Sequence, residues 1–176
     1  MARKDRRYLS RITLRDGLKI TTNKGVCPSK LHAPPIDREG AGQKPGKDAI
    51  TAAGRYRVVY DPVRRKYRYH LIPDTDRVTH WRNALKSKLP ILFGFYVTDA
   101  YWDIKKSSTF HGNISDRTSE SGHAVVALGF DDRKEAFKIK DSQGTRFGDQ
   151  GYWWLPYPLA RTRLIHEAWV IEKISY

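Results

Sequence analysis

The sequence predicts an α+β fold: an antiparallel β-sheet, a few short helices and one long Pro- and Gly-containing loop. Three observations carry this. Apolar segments of strand length recur through the second half of the chain, two of them joined by a tight polar turn at Asp131-Asp132. Helical spacing of apolar residues occurs in two short windows near residues 13–23 and 76–86. Between residues 28 and 54, Pro34-Pro35, Pro45 and several glycines leave no room for long regular structure.

The elements follow in chain order. Residues 1–12 are basic with few apolar groups and read as an exposed arm; residues 13–176 read as one domain. Thr13 with Asp16 forms a capping pair for a helix to Asn23, with Leu14 and Leu18 on one face and Gly25 just past its end. The loop 28–54 holds one helical turn near residues 47–53. Arg55–Tyr60 and Tyr67–Ile72 alternate basic with apolar or aromatic residues and read as two strands around Asp61-Pro62. Asp76–Lys86 is a helix with Val78, Trp81 and Leu85 on one face. Leu89–Thr98, Val125–Phe130, Ala136–Lys140, Gly151–Leu155 and Ala168–Ile174 are the strands of the sheet.

Composition narrows the function classes. The 176 residues carry a formal net charge of +14, which suits either an anionic partner or a simply solvated basic surface. The one cysteine excludes an intrachain disulfide. The first residues contain no apolar signal segment, and the longest apolar runs are too short to span a bilayer. These features set an expectation of no membrane and of a cytoplasmic location, or of a particle such as a virion assembled inside a cell. His32, His70, His80, His111 and His166 lack metal-ligand spacing, so no metal is expected. No phosphate-binding Gly-rich loop occurs, so no cofactor is expected either.

The most informative stretch is Ser121-Gly122-His123-Ala124-Val125-Val126, followed by Lys140-Asp141-Ser142-Gln143-Gly144-Thr145 and by Phe147-Gly148-Asp149-Gln150-Gly151-Tyr152. A His opens an apolar strand, a second strand ends in a carboxylate, and a Gly-rich loop leads into an aromatic strand. This arrangement resembles the papain family of cysteine peptidases, whose motifs read roughly Gly-His-Ala-Val, Asn-Ser-Trp-Gly-Thr and Trp-Gly-x-x-Gly-Tyr. Gly25-Val26-Cys27-Pro28 resembles a stretch of the bacterial branch. The resemblance implies that the sheet is curled, the β-rich half of a papain-like fold. It further implies that the sequence starts after the helix that carries the family's nucleophile.

Residue by residue, the resemblance makes His123 the counterpart of the family's general base and Asp141 the counterpart of the Asn that orients it. Asp can orient an imidazole, so the change is compatible with function and equally with drift after loss of selection. Gln143 stands where the family has a Trp that shields this pair, which predicts a wetter and weaker contact. Phe147 replaces a second Trp. Together the three changes suggest relaxed constraint. Cys27 is the sole thiol, but Pro28 and the following residues do not form the buried helix that a nucleophile begins, and no Gln lies upstream; Cys27 reads as structural.

The reading that follows is a degenerate cysteine peptidase homologue, without a credible nucleophile and so not expected to be an enzyme. His123 and Asp141 are a remnant catalytic pair. The protein then acts as a binding or structural module in a larger assembly, through an acidic partner surface. Its protein partner covers the face left by the absent helical half, with Trp102, Trp153, Trp154 and Trp169 as candidates to line it. Two alternatives stand beside it. One is the His-bearing subunit of a split cysteine peptidase. The other is a nucleic-acid-binding protein that uses Arg55, Arg57, Arg64, Arg65, Lys66 and Arg68 interleaved with Tyr56, Tyr60, Tyr67 and Tyr69.

Overall fold

A computed structural model describes residues 12–33, 42–104, 108–112 and 118–176, the side chains of 118–121 excepted. The basic arm and residues 34–41 of the long loop therefore lie outside the described residues, apart from Ile12. The chain forms two compact units, one of residues 1–67 with 173–176 and the other of residues 68–172.

In the first unit, helix α1 (Leu14–Asn23) starts where Thr13 accepts a hydrogen bond from the backbone N–H of Asp16 at 3.1 Å. The Thr13 hydroxyl donates in return to the Asp16 carboxylate at 2.8 Å. This side-chain cap satisfies an N–H that the helix itself leaves open. Leu18 and Thr22, four residues apart, form the buried stripe. Gly25 follows at φ 81°, and a Cβ there would meet the Ala53 carbonyl oxygen at 1.8 Å, so only glycine fits. Helix α2 (Lys47–Ala53) is the helical turn expected in the loop.

The two strands expected around Asp61-Pro62 are shorter and divided. Strands β1 (Tyr60–Asp61) and β2 (Lys66–Tyr67) pair antiparallel as a tight hairpin. The Asp61 carboxylate accepts from Val63 and Arg64 N–H groups at 3.1 and 3.0 Å, a side-chain-stabilised turn of the kind Asp favours. Arg65 closes it at φ 52°. Upstream, Arg55–Tyr60 does not continue as a strand; Val58 makes one bridge, to Ile174. Downstream, Tyr69–Leu71 forms β3, which belongs to the second unit's sheet. The alternating pattern was real, but the hairpin divides it between two partners.

The second unit is built on a six-stranded antiparallel sheet. Its strands are β3, β4 (Ile91–Thr98), β5 (Thr118–Asp131), β6 (Ala136–Lys140), β7 (Tyr152–Pro156) and β8 (Ile165–Ile171). The spatial order is β3-β8-β4-β5-β6-β7, and the sheet is not closed into a barrel. With α3 (Arg77–Lys86), α4 (Asp99–Asp103) and α5 (Tyr157–Ala160), the described residues hold five helices in all. This is the α+β architecture predicted from the sequence. β6 falls on the predicted residues. β8 begins three residues earlier than predicted, and β7 starts at Tyr152 because Gly151 turns at φ 88°. The single-turn helices α4 and α5 carry too few residues to show a helical period in the sequence.

Alternation along the strands sends Phe93, Phe95, Phe137, Ile139, Trp153 and Leu155 to one face, where all are essentially inaccessible. Helix α3 covers this face with Val78, Trp81 and Leu85. The Trp81 ring lies 4.8 Å from Phe93 and 5.0 Å from Phe137, centroid to centroid. Arg77 of the same helix is buried and donates to the carbonyls of Ala160 and Thr162 at 2.7 and 3.1 Å, which fixes α3 to the segment beyond β7. Beyond β7, Trp154 N–H bonds the Ser108 carbonyl at 2.7 Å and Phe110 N–H bonds the Trp154 carbonyl at 3.0 Å.

Two of the four tryptophans named as candidates to line an uncovered surface are buried. Trp153 is 1% exposed because its strand register points it into the core. Trp169 is 9% exposed, with its N–H on Glu167 and its ring edge against Tyr69. Trp102 is 51% exposed. Replacing the fully buried Trp81 by alanine is expected to cost about 3–5 kcal/mol, the usual range for an aromatic deleted from a core. Trp102→Ala should change stability by no more than about 0.5 kcal/mol. Urea unfolding of the two variants beside wild type checks both values.

Candidate active site

β5 and β6 bring the two sequence-predicted residues together. His123 sits on β5 opposite Phe95 of β4. Asp141 follows the last residue of β6, and its N–H bonds the Gly151 carbonyl at 2.9 Å. The intervening loop returns the chain through Gly144, Gly148 and Gly151, all at positive φ. At Gly148 a Cβ would meet the Tyr152 carbonyl oxygen at 2.3 Å, so the close return into β7 needs glycine.

The imidazole Nε2 of His123 lies 3.0 Å from Asp141 Oδ1. Three further donors converge on the same carboxylate. The Tyr101 hydroxyl reaches Oδ2 at 3.1 Å, the Trp153 indole N–H reaches Oδ2 at 2.8 Å, and the Gln143 backbone N–H reaches Oδ1 at 3.2 Å. The Asp141 side chain is 0% exposed and the His123 side chain 20%. Burial alone would raise the Asp141 pKa, but the hydrogen bonds from His123 and Trp153, the imidazolium charge and the Tyr101 hydroxyl outweigh it. The carboxyl is held below its ordinary value. Burial, followed by the negative charge of Asp141, pushes the Tyr101 hydroxyl upward.

An ionised carboxylate only accepts, so His123 must carry its proton on Nε2 to make this bond. In the neutral ring Nδ1 then keeps its lone pair, and among the described residues it has no partner. A base with one nitrogen anchored and the other open can take a proton from a thiol or hydroxyl brought to it.

The wetter contact expected from Gln143 is not what forms. The Gln143 side chain is exposed, and the cover comes from elsewhere. Phe95 and Tyr101 pack on the His123 ring at centroid distances of 5.8 and 5.6 Å. Phe147, 7% exposed, packs on Tyr101 at 5.1 Å. Sequence reasoning missed Tyr101 entirely and named Trp153 only among the candidates to line a surface. The available signal was the carboxylate at position 141, which has more acceptor capacity than an amide and so calls for more donors.

Cys27 lies in the first unit, half-buried, in an irregular segment after α1. It begins no helix. Its neighbour Val26 donates to the Tyr56 carbonyl at 3.0 Å. His123 and Asp141 belong to the second unit. Among the described residues no three His, Cys, Asp or Glu side chains cluster as a metal site, and no helix is long and apolar enough to cross a membrane.

The basic stripe of the first unit is partly neutralised within itself, as Arg64 sits 3.8 Å from Asp61. Arg68, in the second unit, is held at 2.7 Å by Glu172, which also bonds His70. A second basic surface was not anticipated. On the outer face of β6 and β7, Lys134 and Lys138 lie over the Trp154 ring at 5.3 and 6.0 Å. Lys138 and Lys140 lie over Tyr152 at 5.0 and 4.8 Å.

An open antiparallel sheet that presents an imidazole on one strand, oriented by a side chain at the end of the next, defines the class as a papain-type peptidase domain. Comparison with known proteins agrees. The profile of the papain family of cysteine proteases matches residues 48–167. An uncharacterised peptidase C1-like protein of Acanthamoeba polyphaga mimivirus is 31% identical over 169 residues, covering 92% of this chain and 52% of that protein. The structure of xylellain, a cysteine protease from Xylella fastidiosa, superposes with a TM-score of 0.75 at 28% identity, over 94% of this chain and 63% of that one. Procathepsin B S9 from Trypanosoma congolense, at 15% identity and a TM-score of 0.59 over 88% of this chain and 51% of its own, shares the fold. The chain belongs to the papain family of cysteine proteases, and it spans about half the length of the viral relative.

The depressed Asp141 pKa has a consequence for acid stability. The unfolded carboxyl titrates near 3.8, and the folded one below it, so the unfolded state binds more protons as pH falls. The stabilisation is fully present above about pH 4 and is lost as pH drops through the folded value. Asp141→Asn removes this dependence, so its stability should fall less steeply than that of wild type as pH is lowered from about 5 through the unfolded value of 3.8 and below. Denaturant unfolding across that range reads the slopes.

Proposed function

We propose that this chain provides the imidazole–carboxylate portion of a papain-type cysteine peptidase site. His123 is the general base, Asp141 orients it, and the attacking thiol comes from a segment outside this sequence, either on the same polypeptide or on another chain. The observation that carries the reading is the geometry of His123, with Nε2 anchored on a fully buried carboxylate and Nδ1 open. The chain by itself lacks a credible nucleophile, because Cys27 starts no helix and a thiol attacks only as a thiolate held against the base. Alone, it is catalytically inactive.

Expressed alone, the protein should give background turnover on a panel of fluorogenic peptides, and Cys27→Ser should leave that background unchanged. Joined to the part of xylellain that this chain does not cover, it should hydrolyse peptides, and His123→Ala should lower that rate by about a thousandfold or more. A chimera that is folded by circular dichroism yet silent overturns the catalytic reading. Turnover by the isolated chain that disappears in Cys27→Ser overturns the claim that the thiol comes from elsewhere.

A second reading, an inactive module in an intracellularly assembled particle, has one observation in its favour. Lys134, Lys138 and Lys140 are arrayed over Trp154 and Tyr152, and none pairs with a carboxylate among the described residues. The ammonium groups already occupy the ring faces that bases would stack on, so this surface suits an acidic protein neighbour better than single-stranded nucleic acid. Salt-dependent binding of an acidic peptide, weakened by Lys138→Glu, supports that reading; tighter binding of an oligonucleotide to the same face supports the nucleic-acid alternative.

A further inference from the structure

Position 141 departs from the family's amide, and the structure shows what surrounds the departure. Four donors face the side chain, two on each oxygen: His123 Nε2 and Gln143 N–H on Oδ1, Trp153 Nε1 and Tyr101 hydroxyl on Oδ2. An Asn in the same place offers one carbonyl oxygen and one NH2. If the oxygen faced His123 and the Gln143 N–H, the NH2 would point at the Trp153 indole N–H, which cannot reverse its role. If the amide were flipped, its NH2 would point at His123 Nε2 and at the Gln143 backbone N–H, which cannot reverse its role either. The Tyr101 hydroxyl can rotate to accept; the indole cannot. At least one donor is left facing another in either orientation.

We propose that Tyr101 and Trp153 are positioning residues that commit position 141 to a carboxylate, so that Asp141, Tyr101 and Trp153 form one matched set orienting His123. The aspartate is then not drift from the family's asparagine. The set also does the work of the shielding side chain that is absent at Gln143. Trp153, 1% exposed, and Tyr101, inaccessible to solvent, hold Oδ2, and Tyr101 also packs on the imidazole. By fixing Oδ2, the two donors fix the plane of the carboxylate and hence the direction of Oδ1 toward Nε2. The functional side of this inference rests on the reading of His123 as a general base. Its physical side does not.

The test combines a stability cycle with a spectroscopic readout, both on the full chain. In the cycle, Asp141→Asn is made in wild type and in Trp153→Phe. The cavity made by Trp153→Phe is common to both arms and cancels. The asparagine should be less destabilising in the Trp153→Phe background, by about fivefold or more in the unfolding constant, as for residues in direct contact. For the second readout, Tyr101→Phe removes one oxygen atom and keeps the ring. The 15N shifts of His123, recorded where the imidazole is neutral, should show the proton on Nε2 in wild type. Both Tyr101→Phe and Trp153→Phe should raise the share of the Nδ1–H tautomer, a change that simple loss of packing does not produce.

Additive effects in the cycle, or a tautomer balance unchanged in both variants, would each overturn the proposal. If Trp153→Phe does not fold, Tyr101→Phe alone decides through the tautomer balance. Neither readout needs a nucleophile. A silent chimera with an intact cycle and tautomer response would defeat the catalytic reading and leave the matched set standing; an active chimera with additive effects would do the reverse.

Discussion

A buried carboxylate is the constraint on which the rest of this molecule is arranged. Removing an ionised group from water costs several kcal/mol, and the cost is met only when its lone pairs are filled. Asp141 achieves this with donors from four places: β5, the helical turn α4, β7 and the backbone just past β6. Each must arrive at hydrogen-bond distance. The register of three strands, the placement of α4 directly after β4 and the tight return of the Gly-containing loop are therefore not independent choices. A one-residue slip of β7 would exchange Trp153 for a neighbour that points to the opposite face.

The same residues join the site to the core. Phe95 lies among Phe93, Tyr101, Phe110 and Trp153, and also edges the His123 ring. Tyr101 touches Phe95, Phe147, Trp153 and the imidazole. The aromatic cluster that stabilises the sheet is thus also the wall that keeps water from the His–Asp contact, and a low local dielectric strengthens that contact. The imidazole is carried by a central strand and its carboxylate by the residue directly after another, which limits how far the imidazole can swing.

How much of this could be read in advance depended on the range of the interaction. Thr13 capping α1, the apolar stripe of α3 and the span of β6 are local patterns, and the sequence displays them directly. The pairing of His123 with Asp141 was legible because they fall on consecutive strands, His123 within β5 and Asp141 just past the end of β6. The remaining two side-chain donors to the carboxylate were not. Trp153-Trp154 is a doublet, and in a strand only one of the two can face inward, a choice that the register with β6 makes and composition does not. Tyr101 lies in a helix too short to have a period. The residues around Asp61-Pro62 alternate cleanly, yet their hydrogen bonds go to two different partners, which periodicity cannot report.

The outer flank of β7 has a further implication. A strand at the end of a sheet ordinarily presents open N–H and C=O groups, and such a row invites pairing with a strand from another molecule. Here residues 108–110 take the N–H and the carbonyl of Trp154, and they run parallel to β7 at that point. At that point of β7 the backbone is already occupied. Through Trp154, an incoming molecule can meet the lysine-bearing face by its side chains, but it cannot extend the sheet without first displacing residues 108–110.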